Sequence, residues 1–172
     1  VLRAFFMPFK SFFFDIFALM KEITSTHNSY IKNLIKLKEK SRERHKQGLF
    51  LIEGKREIDL AIASTYEIEA LLFYADLFSK EQAEELELGQ TSLISISKEV
   101  YEKVAYRDST EGILAVAKIK SHLLSELRFS RENPLIIVAE SIEKPGNLGA
   151  LFRTADAANA DAVIIADPKT DL

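Results

Sequence analysis

The stretch EKPGNLGALFRTADAANADAVIIAD, residues 143–167, decides the fold of the C-terminal part of the chain. An apolar run at 135–139 precedes it and predicts a buried strand, and a second run at 162–166 predicts another. Between them Pro145-Gly146 predicts a turn, and Asn147 predicts a helix N-cap, with the helix reaching about residue 158. The stretch is therefore expected to form a strand–helix–strand unit.

The turn and helix start in this stretch are expected to favour an anion. Ligands of open α/β sheets bind at the carboxyl ends of strands, and a helix N-terminus offers free N–H groups to a phosphate. Gly149 lets the helix approach a sheet or a ligand closely, and the Arg153 guanidinium suits a phosphate oxygen or a developing alkoxide. The residues alone leave a plain N-cap, a packing glycine and a solvated arginine as alternatives. Neither G-x-G-x-x-G nor the P-loop pattern is present.

The region before this stretch alternates strands and helices. Strands are predicted at 49–52, 68–75, 92–97 and 112–119. Helices are predicted from residue 28 or 29 to about Lys46, from after Gly54 to about Ala63, and at 79–87 and 98–104. Gly48 is expected to end the first helix. The alternation predicts an α/β class, and the polar segment at 120–133, closed by Pro134, predicts a linker to a second α/β unit.

Composition excludes several classes of protein. The chain has 172 residues, a net charge of −3 and no cysteine, which excludes a disulfide scaffold, an iron–sulfur protein and a cysteine nucleophile. Its three histidines, His27, His45 and His122, are scattered, so a histidine-rich metal site is not expected. No membrane-spanning segment is expected, and the predicted location is the cytoplasm.

The charge is unevenly distributed. Residues 21–56 carry 10 Lys/Arg and 4 acidic residues, whereas 57–133 carry 8 and 15. This asymmetry indicates one anion-binding surface, and phosphate contact by it would supply salt-dependent affinity for RNA. The candidate RNA-binding residues are Lys32, Lys36, Lys38, Lys40, Arg42, Arg44, Lys46, Lys55 and Arg56. A merely solvated helix face remains the alternative.

Tyr106 could stack on an unpaired base, although a partly buried core position is favoured.

The first 19 residues differ in composition from the rest, since seven of the 12 phenylalanines lie within the first 17 positions. Their helical spacing fits a surface membrane helix, but a mis-extended start, with Met20 opening the real protein, is the favoured interpretation.

The C-terminus follows a predicted strand by six residues. Since a sheet of two strands and one helix cannot cover itself, the chain is expected to be truncated.

The decisive stretch resembles the first motif of the SpoU/TrmH family, knotted SPOUT-class RNA ribose 2′-O-methyltransferases that use S-adenosylmethionine. The similarity rests on the run N-x-G-A-x-x-R-T-A-x-A. The segment GLFLIEG at 48–54, together with the basic helix before it, resembles the ribosomal-protein-like substrate-binding domain of the family. TEGILAV at 110–116 resembles its closing strand, although a glutamine is commoner than Glu111.

The resemblance implies a role for each matching residue. Arg153 matches the catalytic arginine, Asn147 the motif asparagine and Glu140 an acidic residue ending the first strand. Because a guanidinium hardly deprotonates in proteins, Arg153 is expected to orient the phosphate and stabilise the forming 2′-alkoxide. The family's second and third motifs are not in this sequence, so no cofactor-binding residue is assigned and this stretch of chain is expected to be inactive alone. A homodimer is implied for the complete protein.

The expected organisation is thus an extension at 1–19, an RNA substrate-binding domain at 20–119, a linker at 120–133 and the first βαβ part of a SPOUT (trefoil-knot) methyltransferase domain at 134–172. The expected function is methylation of ribosomal or transfer RNA at a ribose 2′-hydroxyl. A non-catalytic RNA-binding protein and a nucleotide-binding α/β domain are the alternatives.

Overall fold

The chain divides into two compact units between Ile119 and Lys120. The structure, a computed structural model, describes residues 21–86, 89, 91–106 and 111–170. The predictions for the phenylalanine-rich segment at 1–19 lie outside the described residues. No helix within the described ranges is long and apolar enough to cross a membrane.

The first unit is built on a five-stranded mixed sheet. Its elements in chain order are β1 (Lys21–Ile23), α1 (Ser29–Glu39), α2 (Ser41–Gln47), β2 (Leu49–Glu53), α3 (Lys55–Ala63), β3 (Ile68–Phe73), α4 (Lys80–Glu84), β4 (Ser92–Ile96), α5 (Lys98–Val104) and β5 (Ile113–Lys118). The strand order is β1-β4-β3-β5-β2. The β1–β4 and β3–β4 pairs are parallel, whereas β5 runs antiparallel to both β3 and β2.

Helices cover both faces of this sheet. On one face α1 and α5 bury their apolar stripes, including Ile31, Leu34 and Val100, against sheet residues such as Leu72. On the other face α3 buries Ile58 against the opposite side of the same strands. β3 and β5 are almost wholly buried, which explains why they are apolar without regular alternation, with Glu69 in β3 and Lys118 in β5 as their exposed residues.

The predicted helix ending near Lys46 is in fact two helices. Lys40 takes an extended conformation between α1 and α2, and α2 buries no side chain of its own. Asn33 and Gln47 then hydrogen-bond each other in both directions, at 2.8 and 3.1 Å. The prediction was wrong because this long-range contact, and the absence of an apolar stripe beyond Leu37, outweigh the helix propensity of the segment. Gly48 ends α2 in the left-handed conformation, as expected.

The short strand β1 was not predicted. Its three residues acquire their structure by pairing with β4, from Lys21 opposite Ile94 to Ile23 opposite Ile96. Only Ile23 of this strand is buried, so the local pattern carries no strand signal.

The second unit is the predicted strand–helix–strand. After a 3-10 turn at Leu124–Glu126 come β6 (Ile136–Glu140), α6 (Pro145–Ala157) and β7 (Ala162–Ala166), with the two strands parallel and in register from Ile136 opposite Ala162. α6 buries Leu148 and Ala155, seven positions apart on one face. The helix begins at Pro145 rather than Asn147, because proline is favoured at the first helical position.

Candidate RNA-binding and catalytic sites

The basic surface of the first unit consists of the exposed side chains on and between α1 and α2. Lys32, Lys36 and Lys40 follow one another at four-residue intervals along α1 and its C-cap. Since residues four apart lie on the same side of a helix, they form a row of positive charge. Arg42 and Lys46 add a second pair at the same spacing on α2. All five side chains are exposed, and none forms an ion pair with another described residue.

Two predicted RNA-binding residues of this segment also hold the fold together. The Arg44 guanidinium Nη1 donates to the carbonyl oxygens of Leu37 at 2.7 Å and Lys38 at 3.1 Å, at the C-terminal end of α1. The Lys38 ammonium donates to the carbonyl oxygen of Ala105, the C-cap of α5. Cations are stabilised at helix C-termini, so both residues have structural roles there.

Lys55 and Arg56 open α3, where a carboxylate already lies. The Glu111 carboxylate Oε2 accepts a 2.6 Å hydrogen bond from the backbone N–H of Lys55. The Lys55 ammonium lies 2.6 Å from an Asp59 carboxylate oxygen in an exposed pair. The start of α3 is thus capped by the Glu111 carboxylate. Lys55 and Arg56 are both exposed, but only Arg56 forms no ion pair with another described residue.

Tyr106 lies beside the basic helices. It is 50% exposed, and the Lys38 ammonium lies 5.6 Å from the centroid of its ring. The ring is partly buried, as favoured, but it does not belong to the hydrophobic core of the described residues. Partial burial raises the pKa of the Tyr106 hydroxyl, Arg44 opposes the rise and Glu53 adds to it.

Glu53 is a residue that the sequence analysis did not single out. Its carboxylate Oε2 accepts a 2.6 Å hydrogen bond from the backbone N–H of Tyr106, and its Oε1 is buried without a hydrogen-bond partner among the described residues. The available signal was a carboxylate that ends an otherwise apolar strand immediately before Gly54.

At the second unit, the tip of α6 offers fewer free donors than expected. Lys144 is the N-cap and makes no side-chain cap, so the prediction that Asn147 caps the helix was wrong. Asn147 is the third helical residue, and its backbone N–H donates to the Lys144 carbonyl oxygen at 3.0 Å. Pro145 has no N–H. The Asn147 side chain is exposed in the first turn of α6.

Arg153 is exposed in the third turn of α6. A Cβ atom placed on Gly149 would lie 3.5 Å from the Arg153 guanidinium Nη1, so the side chain extends back over the glycine, one turn nearer the start of the helix. Because 3.5 Å is an ordinary contact distance, the guanidinium does not require a glycine there, and the expected close approach of the helix to a ligand at Gly149 stays a prediction.

The carboxyl ends of β6 and β7 form the edge near which ligands bind in such sheets. Glu140 ends β6 and is exposed. The next residue, Ser141, and Asp167 after β7 both adopt positive φ, at 53° and 47°, and the Ser141 hydroxyl donates to the Asp167 carboxylate at 3.1 Å. This contact ties the two strand ends together.

The second unit does not by itself fit S-adenosylmethionine. Glu140, Ser141 and Asp167, which line the carboxyl edge, are all exposed. A nucleoside cofactor requires a concave site that buries most of its surface. The described part of the unit therefore offers a sheet edge and a helix start but no cavity that would enclose a cofactor. That residues 134–172 hold no cofactor-binding residue stays a prediction.

The fold of the two units is that of RNA methyltransferases of the SpoU/TrmH class. Residues 28–115 match the family of the MRM3-like substrate binding domain, and residues 134–172 match the SpoU rRNA Methylase family. The chain belongs to this family, and the resemblance found in the sequence is confirmed.

Individual relatives agree. The chain is 30% identical over 152 residues to the 23S rRNA (guanosine(2553)-2′-O)-methyltransferase RlmP of Bacillus subtilis, covering 88% of this chain and 57% of that protein. It is 32% identical over 91 residues to the 23S rRNA (guanosine-2′-O-)-methyltransferase RlmB of Haemophilus ducreyi, covering 51% of this chain and 37% of that protein.

Solved structures show the same fold. A crystal structure of an RNA 2′-O ribose methyltransferase matches with a TM-score of 0.70 and 40% identity, over 84% of this chain and 55% of that one. The SpoU methyltransferase AviRb from Streptomyces viridochromogenes, in complex with the cofactor AdoMet, matches with a TM-score of 0.70 and 25% identity, over 81% and 54%. The chain spans about half the length of these proteins.

Proposed function

We propose that the protein is an RNA ribose 2′-O-methyltransferase that uses S-adenosylmethionine, with ribosomal RNA as the favoured substrate over transfer RNA. The observation that carries the proposal is the run N-x-G-A-x-x-R-T-A, which lies on α6 directly after β6. The relatives named above, which are 2′-O-methyltransferases of 23S rRNA, favour ribosomal RNA.

The proposal divides the work between the units. Residues 20–119 form the RNA substrate-binding domain, 120–133 the linker, and 134–172 the first part of the methyltransferase domain. The exposed row of Lys32, Lys36 and Lys40 supports the first assignment, because phosphate contacts require cations that no internal carboxylate already neutralises. The pair on α2 extends the same surface, and Arg56, at the start of α3, is proposed as a separate RNA contact.

Arg153 is the proposed catalytic residue. On methyl transfer the 2′-hydroxyl proton would pass to solvent, and the fixed guanidinium would stabilise the negative charge that develops on the oxygen. The same group can hold the adjacent phosphate through its fork of donors, which orients the ribose. Its position over Gly149 supports this role, since the guanidinium is directed toward the start of α6.

Asn147 and Glu140 are proposed to complete the catalytic set. Asn147, exposed in the first turn of α6, can donate an amide N–H to the ribose or phosphate. Glu140, exposed at the end of β6, can accept a hydrogen bond from a hydroxyl at the same edge. The ribose would then be bound from both sides of the β6–α6 turn.

The test is methyl transfer by the protein expressed from its own gene, measured with radiolabelled S-adenosylmethionine and ribosomal RNA. We expect Arg153→Ala to lower kcat by at least about 100-fold, as loss of an oxyanion donor does, and to leave RNA affinity within a few-fold. Arg128→Ala is the matched control, because Arg128 is exposed in the linker and, among the described residues, donates its hydrogen bonds to the nearby backbone carbonyls of Ser125 and Leu127. Equal turnover of the two variants would contradict the assignment.

One further outcome and two further expectations bear on the same proposal. RNA binding without any methyl transfer by the wild-type protein would favour the alternative, a non-catalytic RNA-binding protein. The homodimer implied by the resemblance is tested by the mass of the native protein in solution. The cytoplasm is the proposed location, which fractionation would test.

A further inference from the structure

Tyr106 presents an exposed aromatic ring beside two cationic side chains, Lys38 and Arg44. Tyr106 is half exposed, although large aromatic side chains bury most of their surface when they serve only the core. Tyr101, on the same segment, shows the contrast: it is 1% exposed, and its hydroxyl accepts a hydrogen bond from the backbone N–H of Gly112. Burial of Tyr101 therefore already anchors this segment, and the exposure of Tyr106 needs another explanation.

The position of the ring is determined by two contacts. The backbone N–H of Tyr106 donates to Glu53, which ends β2, and the Lys38 ammonium lies over the ring. Lys38 is in turn held by the carbonyl oxygens of Ala105 and Lys103. The ring is thus presented by a strand end and a helix end of the sheet scaffold.

The surroundings distinguish the possible ligands. The Lys38 ammonium lies over the ring, and the Arg44 guanidinium is a second positive charge that acts on the Tyr106 hydroxyl. An apolar protein partner gains nothing from that charge, whereas a nucleotide uses both features, since its base stacks on an aromatic face and its phosphate meets the cations.

We propose that Tyr106 is a stacking platform for an unpaired base of the RNA substrate, flanked by Lys38, so that the first unit prefers RNA with unpaired nucleotides over an uninterrupted duplex. The inference rests on the proposed RNA-binding function and deepens it. Bases inside an A-form duplex are stacked on one another and cannot offer a face to the ring. Glu53 is a positioning residue, because it acts through the backbone of Tyr106.

The inference is tested with Tyr106→Phe and Tyr106→Leu in the 172-residue chain. Phenylalanine keeps the planar ring, while leucine keeps an apolar side chain without one. Each protein is titrated with a hairpin bearing an unpaired loop and with a fully paired duplex that has the same number of phosphates. Thermal unfolding of both variants confirms that they fold.

We expect Tyr106→Leu to weaken hairpin binding roughly tenfold, within the range for loss of one stacked base, and to leave duplex binding unchanged. Tyr106→Phe should bind both RNAs like the wild type. The slope of log K against log salt should not change for either variant, because stacking releases no counterions. A 2-aminopurine in the loop should be quenched by the wild type and by Tyr106→Phe only.

The contradicting outcomes separate this inference from the proposed function. If the wild type binds the hairpin and Tyr106→Leu binds it equally well, the stacking platform is refuted and the basic surface stands. If Tyr106→Leu weakens the hairpin and the duplex alike, the residue has no preference for unpaired bases and the inference also fails. If the wild type binds neither RNA at low salt, the proposed function and this inference fall together.

Discussion

The Arg44 guanidinium donates a 2.7 Å hydrogen bond to the carbonyl oxygen of Leu37, across the break that separates α1 from α2. The side chain of Leu37 is fully buried, so its backbone carbonyl is held in place by the core. Arg44 thus fixes α2, which carries part of the basic surface, to the C-terminal end of α1. Its charge faces the end of a helix, where the backbone dipole stabilises a cation.

Arg44→Ala is expected to lower the free energy of unfolding by about 1–2 kcal/mol, because carbonyls near the end of α1 lose a charged donor. The measurement is urea unfolding followed by circular dichroism. Arg42→Ala is the matched control, since Arg42 is an exposed arginine of the same helix and should change stability by less than about 0.5 kcal/mol. Equal stability of the two variants would show that the hydrogen bonds of Arg44 contribute nothing.

Gly112→Ala is expected to destabilise the first unit by about 2–4 kcal/mol, which combines backbone strain with overpacking. Gly112 has φ +74°, and an added Cβ would lie 2.5 Å from the Leu77 Cβ and 3.0 Å from the Phe78 backbone nitrogen. Gly48→Ala is the control for strain alone, because Gly48 has φ +66° and a Cβ added to it would meet no atom of the described residues within 4 Å. Urea unfolding should therefore separate the two glycines, and an equal loss would mean that the close approach to Leu77 is relieved without cost.

The stability of the first unit should fall between about pH 10 and pH 12 through Tyr30. Burial first, and then the charge of Glu69, raise the pKa of Tyr30 from its ordinary 10.0 to about 12. The folded state therefore keeps the proton after the unfolded state has lost it, so this contribution is complete below pH 10 and disappears as the pH rises through 12. Tyr30→Phe should remove that part of the fall, measured by urea unfolding at pH 9 and at pH 11.5. A pH dependence identical to that of the wild type would refute the role of Tyr30.

The lysine row of α1 should govern the salt dependence of RNA binding. The slope of log K against log salt is negative. Replacing Lys32, Lys36 and Lys40 by alanine should reduce its magnitude by about 0.7 for each phosphate that these lysines neutralise in the wild type. The control is the triple alanine variant of Lys80, Lys98 and Lys118, which removes the same charge from exposed lysines that already lie within 4.0 Å of carboxylates. Identical slopes for the two triple variants would place the RNA elsewhere.

Local patterns predicted most of the elements but not the contacts between them. The bounds of α5 and β7 agree with the sequence, since an N-capping serine and a short apolar run are local signals. The break at Lys40 depends on hydrogen bonds from Arg44 and Gln47 to residues one helix away, which no local pattern reveals. The start of α6 was the avoidable error, because proline at the first helical position is itself a signal.

The candidate site was predictable to a similar depth. Arg153, Asn147 and Glu140 were found through the motif, and their catalytic roles stay predictions. The basic residues were found from composition, but Lys38 and Arg44 could not be separated from the freely exposed lysines. Their carbonyl partners on Ala105 and Leu37 are brought near only by the tertiary fold. Likewise, the exposure of Tyr106 depends on where Lys38 and Glu53 lie.

The most direct test of the catalytic assignment is a mass-spectrometric map of ribose 2′-O-methylation in ribosomal RNA from cells that carry the wild-type gene or Arg153→Ala as their only copy. Both proteins should accumulate to the same level, because the Arg153 side chain is exposed and lies outside the hydrophobic core of the described residues. We predict that one 2′-O-methyl group present with the wild type is absent with Arg153→Ala and is retained with Arg128→Ala. Identical maps for all three strains would contradict the assignment of Arg153 and of ribosomal RNA as the substrate.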